Sequence, residues 1–149
     1  MTSILDKFLG FRRAVEGAEC LGLVVQEFHS AGEQVCPANV LFLQIAPERW
    51  LRFFLDAGVF FWRQVPEVVG ISDAEAAPGC RYPLVTLAAT GLVGSRVETA
   101  TFHEVSRNGP ARVILHFNTG ATLALVNESD ASSVELTPPV APGQSNASA

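Results

Sequence analysis

No run of ~18 charge-free apolar residues, the lower limit for a helix that crosses a bilayer, occurs in the 149-residue sequence. A membrane-spanning helix is therefore not expected. Near the N-terminus Asp6, Lys7, Arg12 and Arg13 break up the apolar residues, so the uninterrupted core of a signal peptide is also missing. Cysteine is scarce. Cys20, Cys36 and Cys80 are odd in number and have no CxxC spacing, which argues against a disulfide framework or a zinc knuckle and predicts reduced thiols in a cytoplasmic protein. Basic residues are outnumbered, 10 Lys and Arg against 15 Asp and Glu. With a net charge of -5 and a pI near 5.1, the chain lacks the clustered cations that nucleic-acid backbones require. There is no HxxxH or HExxH spacing, no phosphate-cradling glycine loop and no GxSxG nucleophile elbow. No cofactor and no metal are expected.

Apolar bulk is what the chain does have. Hydrophobic residues make up 48% and mean hydropathy is +0.27, with 10 Phe and 2 Trp supplying much of the volume. At this length one domain can bury a real core without staples. The stretch around which the rest is organised is Trp50 to Arg63, WLRFFLDAGVFFWR. Two aromatic and β-branched runs flank Asp56-Ala57-Gly58, whose glycine takes a left-handed backbone at little cost, so the stretch predicts a hairpin. A two-residue loop at Ala57-Gly58 would set Arg52 opposite Arg63, a like-charge pair. A three-residue loop with Gly58 as the left-handed bulge sets Arg52 opposite Trp62 and Phe54 opposite Phe60, and is the register the sequence favours. Trp50, Arg52, Phe54, Phe60 and Trp62 would then share one face, and Leu51, Phe53, Leu55, Val59 and Phe61 the other. A hairpin apolar on both sides lies mid-domain or is covered by a helix or a partner chain.

Upstream, residues 3–17 carry Ile4, Leu5, Phe8, Leu9, Arg12 and Val15 at helical spacing, with Ser3 and Asp6 able to cap the start and Gly17 near the end. Cys20 to His29 reads as a strand with a turn at Ser30-Ala31-Gly32-Glu33. Asn39 to Ala46 reads as a second strand after the Cys36-Pro37 break. Residues 66–83 form the longest irregular segment, a connector with one helical turn at Asp73 to Ala77. Leu84 to Ala88, Arg96 to Val105, Arg112 to Phe117, Ala121 to Asn127 and Ser133 to Thr137 are further strand-like runs, with turns at Asn108-Gly109 and Asn118-Thr119-Gly120. A three-residue loop ending in a left-handed Gly120 would set Leu115 against Leu123 and Val113 against Leu125. Residues 1–137 are expected to form the domain and 138–149, rich in Pro, Gly, Ser and Ala, a disordered tail.

Few residues point to chemistry. His103 and His116 would share the side of the sheet away from Leu115, but two ligands fall short of the three or four a metal wants. Cys36, in a turn beside Pro37, is the one cysteine with the setting of a nucleophile; a buried or incidental free thiol is the favoured reading of all three. Asp73 with Glu75, and Glu128 with Asp130, read as solvated carboxylates.

The segments WLRFFLDAGVFFWR and ILHFNTGATLALVNESDAS, the second with Phe117, Gly120, Leu123, Leu125 and Asp130 spaced as F-x-x-G-x-x-L-x-L before an Asp turn, resemble a pattern of small bacterial β-rich proteins of the toxin-immunity kind. The resemblance covers about a third of the chain and carries over no functional residues. The expected fold is α+β: an N-terminal helix on one bent, mainly antiparallel sheet of roughly seven to nine strands, open or partly closed into a barrel. The expected function is non-catalytic binding of a protein partner or of a second copy as a homodimer, of the immunity type in the sense of the resemblance. A small apolar-ligand carrier with Trp50, Arg52, Phe54, Phe60 and Trp62 as its pocket wall is the alternative. An enzyme using Cys36 or the histidines comes third.

Overall fold

The computed structural model describes residues 4–87, 91–107, 109–128 and 130–139. One helix and ten strands follow one another: α1 (Ile4–Val15), β1 (Gly22–Ser30), β2 (Glu33–Ala46), β3 (Arg49–Asp56), β4 (Val59–Val65), β5 (Cys80–Arg81), β6 (Leu84–Thr86), β7 (Val97–His103), β8 (Ala111–Phe117), β9 (Thr122–Glu128) and β10 (Ala131–Thr137). Their pairing is antiparallel and mostly between sequence neighbours. A six-stranded sheet has the order β4-β3-β2-β1-β5, with β6 also on β1, and a four-stranded sheet has the order β10-β9-β8-β7.

Turn chemistry explains the local pairing. Ala31 and Gly32 have φ of 53° and 80°, and Ala57 and Gly58 have 51° and 80°. Two successive left-handed residues make the two-residue hairpin turn whose twist matches that of its strands. At the far end Gly120, with φ of 85°, closes the three-residue loop between β8 and β9, and Leu115 faces Leu123 and Val113 faces Leu125 as the aliphatic pattern requires.

Alternation then builds the core. Leu23, Leu43, Leu51, Phe53 and Phe60 of one sheet, and Val97, Leu115, Leu123 and Leu125 of the other, belong to a single buried cluster. The edge strands β4 and β7 both contact α1, so the helix closes that side of the sandwich. Phe11 is fully buried and meets the rings of Phe8, Phe53, Phe60 and Trp62 at centroid distances of 5.9, 4.8, 5.1 and 5.9 Å. Phe8 adds Phe60 and Phe102 at 5.4 and 5.5 Å. Gly10 lets the helix approach; a Cβ there would lie 3.0 Å from the Trp62 ring. The Arg96 Nη1 donates to the Gly17 carbonyl at 2.6 Å, and Gly17 itself has φ of 86°, which together terminate α1.

Three expectations are corrected. The fold is mainly β, not clearly α+β: one short helix accompanies two facing sheets, and these are not closed into a barrel. The reason is local pairing. The strands up to β6 and the meander from β7 to β10 each satisfy their own ladders, and the isolated bridge Glu19 to Arg96 links the two ahead of β1. The register of the β3/β4 hairpin is the rejected one, with Arg52 opposite Arg63, Leu55 opposite Phe60 and Phe53 opposite Trp62. The observed register sets Phe60 and Trp62 behind the same face as Phe53 and Leu55, whereas the other would turn Val59, Phe61 and Arg63 inward, and burying a charge there outweighs the ~0.2–1 kcal/mol at stake in a charge pair on the outer face. Pro37 does not end a strand either. It sits inside β2, between the pairs Phe28 to Cys36 and Gln26 to Val40, where irregular spacing frees the strand from needing its donor.

The other boundaries are close to expectation, and β5 is an addition. In the 66–83 segment the turn at Asp73 is capped by Ser72, whose Oγ accepts from the Glu75 N–H at 3.2 Å. Among the described residues no helix is long and apolar enough to cross a membrane. The expected tail beyond Pro139, Asn108 and Ser3 lie outside the described residues.

Candidate functional site

The two-residue turn divides the five residues expected to share a face. Phe60, 0% exposed, and Trp62 point inward against α1, whereas Trp50, Arg52 and Phe54 lie on the outer face of the six-stranded sheet. In their place the outer face gains Phe61 and Arg63 from β4 and Phe42 from β2. Its rows read Gln44, Trp50, Val65, then Phe42, Arg52, Arg63, then Phe54 beside Phe61.

Each side chain is held by a neighbour. The Trp50 ring lies over Gly22, where a Cβ would come within 3.0 Å of its Cη2, so only glycine leaves room for the indole. Phe54 and Phe61 stack with centroids 5.0 Å apart and planes 17° from parallel. The Arg52 guanidinium sits 5.1 Å from the Phe54 ring centre, and the Lys7 Nζ reaches over from α1 to within 5.3 Å of the Phe61 ring centre. Phe42 is 1% exposed despite facing outward. It forms part of a cavity of about 140 Å³ together with Arg52, Arg63, Val65, Pro66, Glu67 and Val69, the chain after β4 supplying one wall.

Arg52 and Arg63 are the unusual pair. They are direct cross-strand neighbours, and among the described residues no carboxylate lies within ion-pair distance of either. Burial, and then the charge of Arg63, push the Arg52 pKa below its ordinary value; the group stays charged, but its cation is held at a cost. An arrangement of a half-buried guanidinium, an exposed one beside it and aromatic planes can grip carboxylates bidentately and stack on flat groups.

The other candidates lie away from this face. The Cys36 thiol is buried, donating to the Ser132 carbonyl at 3.5 Å and accepting from the Ser132 N–H at 3.3 Å. It joins a polar clasp between the sheets: the Gly58 N–H donates to Asn127 Oδ1 at 2.8 Å, Asn127 Nδ2 to Ser132 Oγ at 3.1 Å, and Ser132 Oγ to the Leu55 carbonyl at 3.4 Å. Burial pushes the Cys20 thiol up to about 11, which suppresses its thiolate. His103 and His116 do share the outer face of the four-stranded sheet, but His103 stands opposite Arg112 and His116 opposite Thr99. No cluster of three or more metal-ligating side chains occurs among the described residues. Asp73 approaches Arg81 at 3.9 Å, and Glu75 is taken up in the Ser72 cap.

Comparison with protein-family models, with curated proteins and with solved structures finds no match to the chain. Sequence reasoning missed Phe42, Phe61 and Arg63 at this face. The signal was present: the juxtaposition of Arg52 and Arg63 counted against the true register, and it is the feature that marks the site.

Proposed function

We propose that the chain is a non-catalytic binding protein that docks a protein partner, in the first instance a second copy of itself, on the outer face of the six-stranded sheet. The observation that carries this reading is the Arg52/Arg63 couple, which has no carboxylate partner among the described residues and is set among Trp50, Phe54 and Phe61. Trp, Tyr and Arg in partly desolvated pockets are the residue types that dominate binding energy at protein interfaces. Val59 and Val69, 38% and 67% exposed, extend the apolar part of the patch. The inner aromatic side favours docking over the carriage of an apolar ligand, because Phe8 and Phe11 already occupy the space beside Phe60 and Trp62. A copy of this chain suits a cationic patch, since 15 acidic residues against 10 basic ones offer it carboxylates. Its three free cysteines fit a reducing, cytoplasmic setting, and the immunity-type resemblance fits a protein whose task is to bind another.

Sedimentation at micromolar concentration tests the reading. The wild type should associate, and Phe54→Ser with Phe61→Ser should be monomeric while retaining its melting temperature to within a few degrees. A wild type that stays monomeric removes self-docking.

A further inference from the structure

We propose that the cavity between Arg52 and Arg63 is a clamp for a small oxyanion, occupied in the docked state by a carboxylate of the partner. The inference rests on the reading of this face as the docking surface and names the group that it recognises.

Electrostatics carries the first step. Like charges placed directly opposite one another on a sheet destabilise it, yet Arg52 and Arg63 stand in register. With no carboxylate within ion-pair distance among the described residues, the repulsion is relieved only by water or by an anion from outside. Two planar guanidiniums present ten N–H donors between them and no acceptor, which suits the four lone-pair sites of a carboxylate or the oxygens of a phosphate.

Geometry carries the second. The guanidiniums line a recess and do not simply project from a flat sheet: Phe42 is buried beside them, and Val65, Pro66 and Val69 complete the walls. At about 30 Å³ per water, the 140 Å³ of this recess holds roughly four to five heavy atoms, the size of a carboxylate with the methylenes that carry it. The buried Phe42 lowers the local dielectric on its side of the recess and so strengthens a charge pair formed there. Phe54, 5.1 Å from the Arg52 guanidinium, limits the orientations of its fork and reduces the freedom lost on binding. Glu67 also lines the recess but makes no ion pair with either arginine, so its carboxylate borders the site without filling it.

Small probes test the clamp without any partner. The full chain is titrated with sodium acetate and, separately, with inorganic phosphate, each against sodium chloride of equal ionic strength, while melting temperature and the NMR resonances of the Arg52 and Arg63 Nε–H groups are followed. The clamp predicts saturable shifts of both Nε–H resonances and a rise in melting temperature of roughly 3–6 °C at ten times the dissociation constant. Both effects should vanish in Arg52→Gln with Arg63→Gln and weaken in the double Lys variant, which keeps the charge but loses the fork. Acetate acting at least as strongly as phosphate supports a protein carboxylate as the occupant; phosphate alone acting would overturn that assignment. Shifts no larger than chloride produces, or equal shifts in the Gln variant, overturn the clamp. Such a failure leaves sedimentation free to support docking through Phe54 and Phe61, and a wild type that binds the anion yet stays monomeric would defeat the self-docking reading alone.

Discussion

At Ala57 the backbone is left-handed in a residue that carries a Cβ, with φ of 51°, beside Gly58 at 80°. Gly58→Ala should cost about 1 kcal/mol, read as a lower denaturant midpoint, because open space is not the obstacle: the nearest side-chain atom, Val105 Cγ1, would be 3.7 Å from the new Cβ. Ala57→Asn should change stability the other way by a few tenths of a kcal/mol, since Asn tolerates this conformation. A Gly58→Ala protein as stable as the wild type would deny the turn. At Arg63 the opposite sign is expected from removing a functional group. Arg63→Gln should raise the midpoint by about 0.5 kcal/mol, as relief of a like-charge contact, and a loss of stability there would mean that the arginine has a structural partner. The left-handed glycines at 58 and 120 were legible in the sequence because turn chemistry is local. Whether the loop before Val59 held two residues or three was not, since that choice depends on which aromatics α1 covers.

The helix is the element that makes this choice. Phe8 and Phe11 cover Phe60 and Trp62, and Glu16 ties the end of the helix to β7 by accepting from the Ala100 N–H at 2.9 Å and from Arg12 Nε at 2.8 Å. Burial raises the Glu16 pKa, but the hydrogen bonds from Arg12 and Ala100 and the charge of Arg12 outweigh it and leave the carboxyl below its ordinary value. Because folding lowers this pKa, the stabilisation is fully present above the unfolded-state value and is lost as pH falls through the folded-state value. The stability difference between wild type and Glu16→Gln should therefore hold at neutral pH and disappear in acid, as chemical denaturation at a series of pH values would show. A difference that persisted unchanged below the ordinary glutamate range would rule this carboxylate out. The amphipathic pattern of residues 3–17 announced α1, and the alternation of β7 to β10 announced their strands. The short β5 was hidden by the Pro and Gly residues around it, and the start of β2 ahead of Asn39 by Pro37, which the irregular pairing opposite Phe28 accommodates.

On the scale of the whole molecule, two sheets face each other because each exhausts its hydrogen bonds among sequence neighbours and still has an apolar face to bury. The expected seven to nine strands fell short of the ten described, whereas antiparallel order could be inferred from turns. The point at which one sheet stops and another begins could not, because no single residue encodes it. The clasp of Asn127, Ser132 and Cys36 fixes how the sheets meet, and Asn127→Ala, which strips the Gly58 N–H and Ser132 of their partner, should cost about 1–3 kcal/mol in an unfolding titration. With α1 on one side of the sandwich and the core filled, the outer face around Arg52 keeps Trp50, Phe54 and Phe61 partly exposed. That it is a docking surface is the central claim, and sedimentation velocity of the wild type beside Arg52→Glu at micromolar concentration tests it most directly. A wild type that associates reversibly and an Arg52→Glu variant that stays monomeric with unchanged fold are the predicted pair, and two proteins that sediment alike, whether both as monomers or both as dimers, would contradict it.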